Sequence, residues 1–226
     1  MILSSQPAFL FVHIEKAAGS SIQIALRPVA TSAKNYRWRR RLCWLGAVNR
    51  LGLYRILAFP EHADARLVKR CLPAPVYDGL FKFAFVRNPW DRLVSRYAHL
   101  LRSKDRHRHE MVKRMKSFEE FIAWEIKRRS AYQFEYVTGK DGRSIVDFVG
   151  RYERLAEDFA TVCARIGVKA ELPHANVSEH RDYRSYYTPE SRDLVARHFR
   201  RDIEMFGYDF DGLAPGAPVK GQPNPI

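Results

Sequence analysis

FLFVHIEKAAGSSIQIAL at residues 9–26 and FKFAFVRNPWDRLVSRY at 81–97 decide how this chain folds. Each begins as a nearly continuous apolar run (8–14 and 81–87), the pattern of a parallel strand covered on both faces. Each then turns and enters a helix. The first helix should start near Ser20 or Ser21 and stop before Pro28; the second should run from about Pro89 to Leu101, with proline at a first helical position. Each turn brings a cation and a hydroxyl: Lys16 with Ser20 and Ser21, Arg87 with Ser95. Side by side, two such strand–turn–helix units form a cradle for a ligand carrying two separate anionic groups.

Outward from these units the chain keeps alternating. A helix is expected over 62–72, and the capping-box pattern Ser117-x-x-Glu120 opens another, FEEFIAWEIKRR. SIVDFVG (144–150) reads as a strand feeding the helix YERLAEDFATVCARIG, which Gly167 can close. Thr188-Pro189 starts a last helix to about Met205, and 102–116 reads as a basic, solvated helix end or loop. Strands alternating with helices predict an α/β fold: one P-loop-like domain over residues 1–210, its central, mainly parallel sheet flanked by helices. Residues 211–226, rich in Pro and Gly, read as an irregular tail.

Composition narrows the class. A chain of 226 residues that is 46% hydrophobic supports one sizeable core. No eighteen-residue apolar run is present and no leader pattern is evident, which suggests a cytoplasmic protein. The three cysteines, Cys43, Cys71 and Cys163, are too scattered for a disulfide framework or a structural zinc. A net charge of +14 favours a polyanionic partner without choosing among nucleic acid, an acidic surface, a glycan or a charged nucleotide.

In Glu15–Ser21, Ala17, Ala18 and Gly19 let backbone N–H groups approach an anion at a helix N-terminus, and Lys16 adds a full charge. No G-K-S/T closes this loop, so it is not the nucleoside-triphosphate type. An ordinary strand–helix turn with an exposed lysine would read the same way. Arg87 ends its strand where ligands bind in open α/β sheets, and its fork suits a phosphate. Arg92 and Arg96 read instead as surface salt-bridging residues, with Asp91 an available partner.

Together, HIEKAAGSS and VRNPWDRLVS resemble the two anion-binding segments of sulfotransferases that use 3′-phosphoadenosine 5′-phosphosulfate (PAPS), the carbohydrate branch in particular. The resemblance spans about residues 8–210. The proline that normally precedes the lysine is Glu15 here, and the threonine that follows it is Ala17. The likeness implies that Lys16, Ala17, Ala18, Gly19, Ser20 and Ser21 hold the 5′-phosphosulfate and that Arg87 and Ser95 hold the 3′-phosphate. It implies further nucleotide contacts from Arg151 and Ser178, adenosine 3′,5′-bisphosphate (PAP) as product, and no metal. His62 stands where such enzymes carry a histidine base, and Glu61 is its neighbouring rival. The acceptor implied is a glycan or glycolipid. The basic, aromatic stretch 37–58 could serve as an acceptor wall, a peripheral membrane contact or a core-facing helix. A nucleotide-dependent phosphotransferase lacks its G-K-S/T and magnesium carboxylate. No nucleic-acid motif is present, so no nucleic-acid partner is expected.

Overall fold

A computed structural model describes residues 1–30, 59–127, 132–173 and 181–215. The basic aromatic stretch 37–58, Ser178 and most of the Pro/Gly-rich tail lie outside the described residues.

The main sheet has the order β1 (Ile2–Ser5), β2 (Ala8–Val12), β3 (Phe81–Val86), β4 (Phe148–Arg151). β2, β3 and β4 are parallel, while β1 pairs antiparallel with β2 at one edge. The crossovers between parallel strands carry helices: α1 (Gly19–Leu26), α2 (Ala65–Cys71) and α3 (Ala74–Asp78) between β2 and β3, then α4 (Pro89–Leu101), α5 (Arg106–Lys113), α6 (Phe118–Glu125) and α7 (Phe134–Val137) before β4. α8 (Leu155–Ile166), α9 (Pro189–His198), α10 (Arg200–Phe206) and a short hairpin, β5 (Tyr208–Asp209) with β6 (Gly212–Leu213), complete the described chain.

Side-chain alternation sorts the strands into two cores. Phe9, Phe11, Phe83, Phe85 and Phe148 face one side, packed on Ile22, Ala25 and Leu26 of α1 and on Phe159, Val162 and Ile166 of α8. Each buried phenylalanine contributes roughly 1.5–3 kcal/mol. Leu10, Val12, Ala84, Val86 and Val149 face the other side, against Ala65, Val68 and Cys71 of α2 and Met205 and Phe206 of α10. A third, helical cluster joins α4, α6 and α9 through Leu93, Val94, Phe121, Ile122 and Val195. Gly150 has no alternative: a Cβ there would lie 2.5 Å from the Phe85 ring.

Several boundaries depart from expectation. Residues 144–147 are not strand: Ser144 bridges to Thr138, and the Asp147 carboxylate accepts from the Lys82 backbone N–H and pairs with its ammonium. The last helix breaks at Phe199, so that Val195 and Phe199 enter the helical cluster while Met205 and Phe206 enter the sheet core. Within 102–116, α5 is a true helix, capped by Asp105 and anchored by Val112. The Ser117 side chain caps α6 as expected, but the Glu120 carboxylate accepts from Lys116 N rather than from Ser117 N. No helix among the described residues is long and apolar enough to cross a membrane.

Candidate active site

β2, β3 and β4 end at one edge of the sheet; Lys16 and Arg87 lie in the segments that follow β2 and β3, and Arg151 is the last residue of β4. The loop after β2 bends sharply, with Lys16 and Ala18 both at positive φ (66° and 62°). This conformation costs a non-glycine residue about 1 kcal/mol or more and persists where the surroundings over-determine it. Here it opens α1 from an Ala18 N-cap with no side-chain cap and no acidic residue in the first turn. Asp64, Asn88, Asp105, Ser117 and Thr188 each cap their own helix, while α3, α7, α8 and α10 share with α1 the lack of a side-chain cap. The start of α1 thus presents backbone N–H groups and a positive dipole end at the sheet edge beside Lys16. Ala17, Gly19 and Ser21 are buried, Ala18 half-buried and Ser20 exposed.

Gly19 is required by a close approach. A Cβ at this position would lie 1.8 Å from the buried His13 ring. Arg27 Nη2 donates to Gln23 Oε1, which turns Gln23 Nε2 toward His13 Nδ1 at 2.8 Å. Nδ1 is therefore the acceptor, and the His13 proton sits on Nε2. Burial, reinforced by the N-terminus, His62 and Arg27, lowers the His13 pKa to about 3. His13 is thus neutral, and its 3.4 Å approach to Glu61 is no ion pair near pH 7.

Lys16 is half-buried, and its pKa is lowered to about 8, first by desolvation and then by the charges of Arg87, Arg96 and Arg102. Glu15 opposes the shift only weakly. A half-buried lysine crowded by cations is a candidate anion contact.

Arg87 is buried, its guanidinium held by Asp91 (Nε 2.8 Å, Nη2 2.7 Å) and stacked over the Tyr152 ring at 4.0 Å. Its backbone is pinned from both sides by the Gln133 side-chain amide. The adjoining Asn88 caps α4 and bonds to the Asp209 carbonyl, while its N–H donates to Glu153. Ser95 is buried two turns into α4. Arg92 and Arg96 are not the surface residues expected: both are buried on α4. Arg96 pairs with Glu15 and, at 2.7 Å, with the buried Glu125, while Arg92 feels Asp202 and Glu125.

Arg151, to which the resemblance assigns a nucleotide contact, is the last residue of β4. It is 0% exposed, donating Nε to the Phe206 carbonyl and Nη1 to the Val149 carbonyl. The guanidinium thus bridges β4 and α10, while its Nη2 is buried without a hydrogen-bond partner among the described residues. His62 does come to that edge: its Nδ1 lies 3.1 Å from the His13 carbonyl and its Nε2 3.8 Å from Glu15 Oε1. A carbonyl only accepts, so the His62 proton is on Nδ1 and Nε2 keeps its lone pair. Glu61 is exposed. Among the described residues His13, Glu61 and His62 offer metal-ligand atoms within 4.8 Å of one another, a grouping not foreseen from their spacing. Because the His13 Nδ1 lone pair is taken by Gln23, that nitrogen is not free to ligate a metal.

Sequence reasoning missed Gln133, Tyr152 and the Arg27–Gln23–His13 relay. The small residue Gly19, six positions beyond His13, was the one sequence signal for that relay.

Comparison with known proteins agrees with this architecture. The sequence profile described as the sulfotransferase family matches residues 1–209. The fold is shared with the crystal structure of mouse sulfotransferase SULT7A1 complexed with PAP (TM-score 0.55, 15% identity, 89% of this chain and 85% of that one). An uncharacterized protein of Archaeoglobus fulgidus is 34% identical over 112 residues, 48% of this chain and 85% of its own length. On the extent of the profile match, the chain belongs to the sulfotransferase family.

Proposed function

We propose that this sulfotransferase takes its sulfuryl group from PAPS and delivers it to a hydroxyl, the acceptor being a carbohydrate or glycolipid. The observation that carries the reading is the uncapped start of α1 beside Lys16, whose pKa is depressed by burial and by neighbouring cations. A doubly anionic nucleotide would relieve both features at once. The PAP complex of SULT7A1, on the same fold, supports this choice of donor.

PAPS supplies an activated sulfuryl group whose leaving oxygen becomes a phosphate oxygen of PAP. The N–H groups of residues 17–21 bind the 5′-phosphate end, with Ser20 and Ser21 adding hydroxyl donors. Lys16 neutralises the charge that develops on the leaving oxygen as the S–O bond breaks. Arg87, oriented by Asp91 and Tyr152, and Ser95 on α4 bind the 3′-phosphate end. His62 Nε2 takes the acceptor hydroxyl proton while that oxygen bonds to sulfur, so the proton ends on the imidazole. The His13 carbonyl holds the tautomer this step needs. Side-chain cations do the electrostatic work in this scheme, which assigns no role to a metal.

Thermal unfolding with PAP, ATP-magnesium or an oligonucleotide tests the reading. A ligand that binds only the folded state must raise the melting temperature, and at a hundredfold excess over Kd the gain is about 2.7 kcal/mol. PAP should stabilise the protein well beyond the other two. Stabilisation by ATP-magnesium with none from PAP would overturn the proposal in favour of a phosphotransferase.

A further inference from the structure

Glu15 stands where the resembling enzymes carry proline, next to the lysine that meets the donor anion. A carboxylate there would repel that anion unless something held its charge elsewhere. The structure supplies the restraint. Arg96, its side chain 7% exposed, reaches from α4 with Nη1 on Glu15 Oε2, and the buried Glu125 carboxylate anchors the same guanidinium from behind at 2.7 Å. Glu15 Oε1 is left facing His62 Nε2 at 3.8 Å. His62 is clamped on its other side by the His13 carbonyl, so Nε2 is the atom with a free lone pair. Both side chains reach solvent, 33% for His62 and 23% for Glu15, so an incoming hydroxyl can lie beside them.

We infer that Glu15 is a positioning residue for His62: held by Arg96, it pairs with the imidazolium formed when Nε2 takes the acceptor proton. This rests on His62 serving as the base in the proposed reaction. The other groups around His62 are less well placed to do the same. The His13 ring, 4.5 Å away between centroids, is neutral. The Glu61 carboxylate comes within 4.8 Å of a His62 nitrogen, but it is exposed and screened by solvent, whereas Arg96 holds Glu15 in place. Lys16, Arg96 and His99, whose charges or fields converge on Glu15, would oppose a second positive charge. Glu15 is thus the anion placed to balance it.

The test needs no known acceptor. Histidine ring signals are followed by NMR through a pH titration in the parent protein, Glu15→Gln and Glu15→Asp, with His62→Asn assigning the resonance. PAP binding is measured on the same samples. In Glu15→Gln the His62 protonation constant should fall about tenfold, the effect of losing an opposite charge within 4–6 Å. Glu15→Asp, whose shorter carboxylate retreats from Nε2, should fall by a smaller factor and decides the matter if the glutamine variant does not fold. PAP affinity should hold or tighten, since a like charge is gone. A His62 titration that moves less than about twofold in the variants overturns the inference, whatever PAP does. Failure of every form to bind PAP, with the His62 titration still moving, would sink the proposed function and leave the pairing intact.

Discussion

The low pKa of Lys16 makes PAP binding pH-dependent in a direction and range the structure sets. In the free protein Lys16 loses its proton near pH 8, because burial disfavours the ammonium and Arg87, Arg96 and Arg102 repel it. A bound phosphate favours the ammonium, so its pKa rises in the complex and binding takes up protons. Affinity is therefore full below pH 8 and declines as pH rises through that value. At pH 7 roughly nine chains in ten carry the proton and at pH 9 roughly one in ten, so Kd should weaken about tenfold between them. The phosphates of PAP lose their last protons near pH 6 and do not contribute to this interval. Burial holds His99 below the ordinary histidine value, and His13, near 3, is already neutral. Isothermal titration calorimetry at pH 7, 8 and 9, in buffers of different ionisation heat, reads both Kd and proton uptake. Lys16→Met should bind more weakly and show no slope, whereas Lys16→Arg, which stays charged, should flatten the profile at high affinity. A parent protein whose Kd stays within about twofold from pH 7 to 9, with no proton uptake at pH 8, would refute the reasoning.

Two further substitutions test the support beneath the loop. Gly19→Ala forces a Cβ to 1.8 Å from the His13 ring, which Gln23 and Arg27 hold in place; urea unfolding should show a loss of about 3 kcal/mol, and a loss under about 0.5 would mean the ring moves freely. Arg96→Met removes the shared partner of Glu15 and the buried Glu125, so stability at pH 7 should fall by about 3–5 kcal/mol. Part of that loss should return at pH 5, where Glu125, already pushed upward by burial, can take a proton; equal losses at both pH values would contradict the assignment.

The strands at 8–12 and 81–86 were legible because burial on both faces is written directly in residue order as a nearly continuous apolar run. Lys16 and Arg87 were legible too, since a strand, a tight turn and a helix start bring them to the same edge of a parallel sheet. What residue order could not reveal is which charges meet across the chain. Arg92 and Arg96 look like surface cations by composition, yet the third core forms around their helix and draws them inward onto Asp202, Glu125 and Glu15. The same blindness applies to Arg151. It ends β4, as Arg87 follows directly on β3, but α10 packs against it and its Nε and Nη1 donate to main-chain carbonyls.

By itself, then, the sequence determined the parallel strands, the two turns and the kind of ligand charge those turns suit, because those follow from local periodicity and backbone chemistry; the antiparallel edge strand β1 went unread. The tertiary structure alone decided the tautomers of His13 and His62, the restraint of Glu15 and the pKa of Lys16. Each of these depends on partners far away in the chain and on how much water the packing leaves around them, quantities with no counterpart in local residue order.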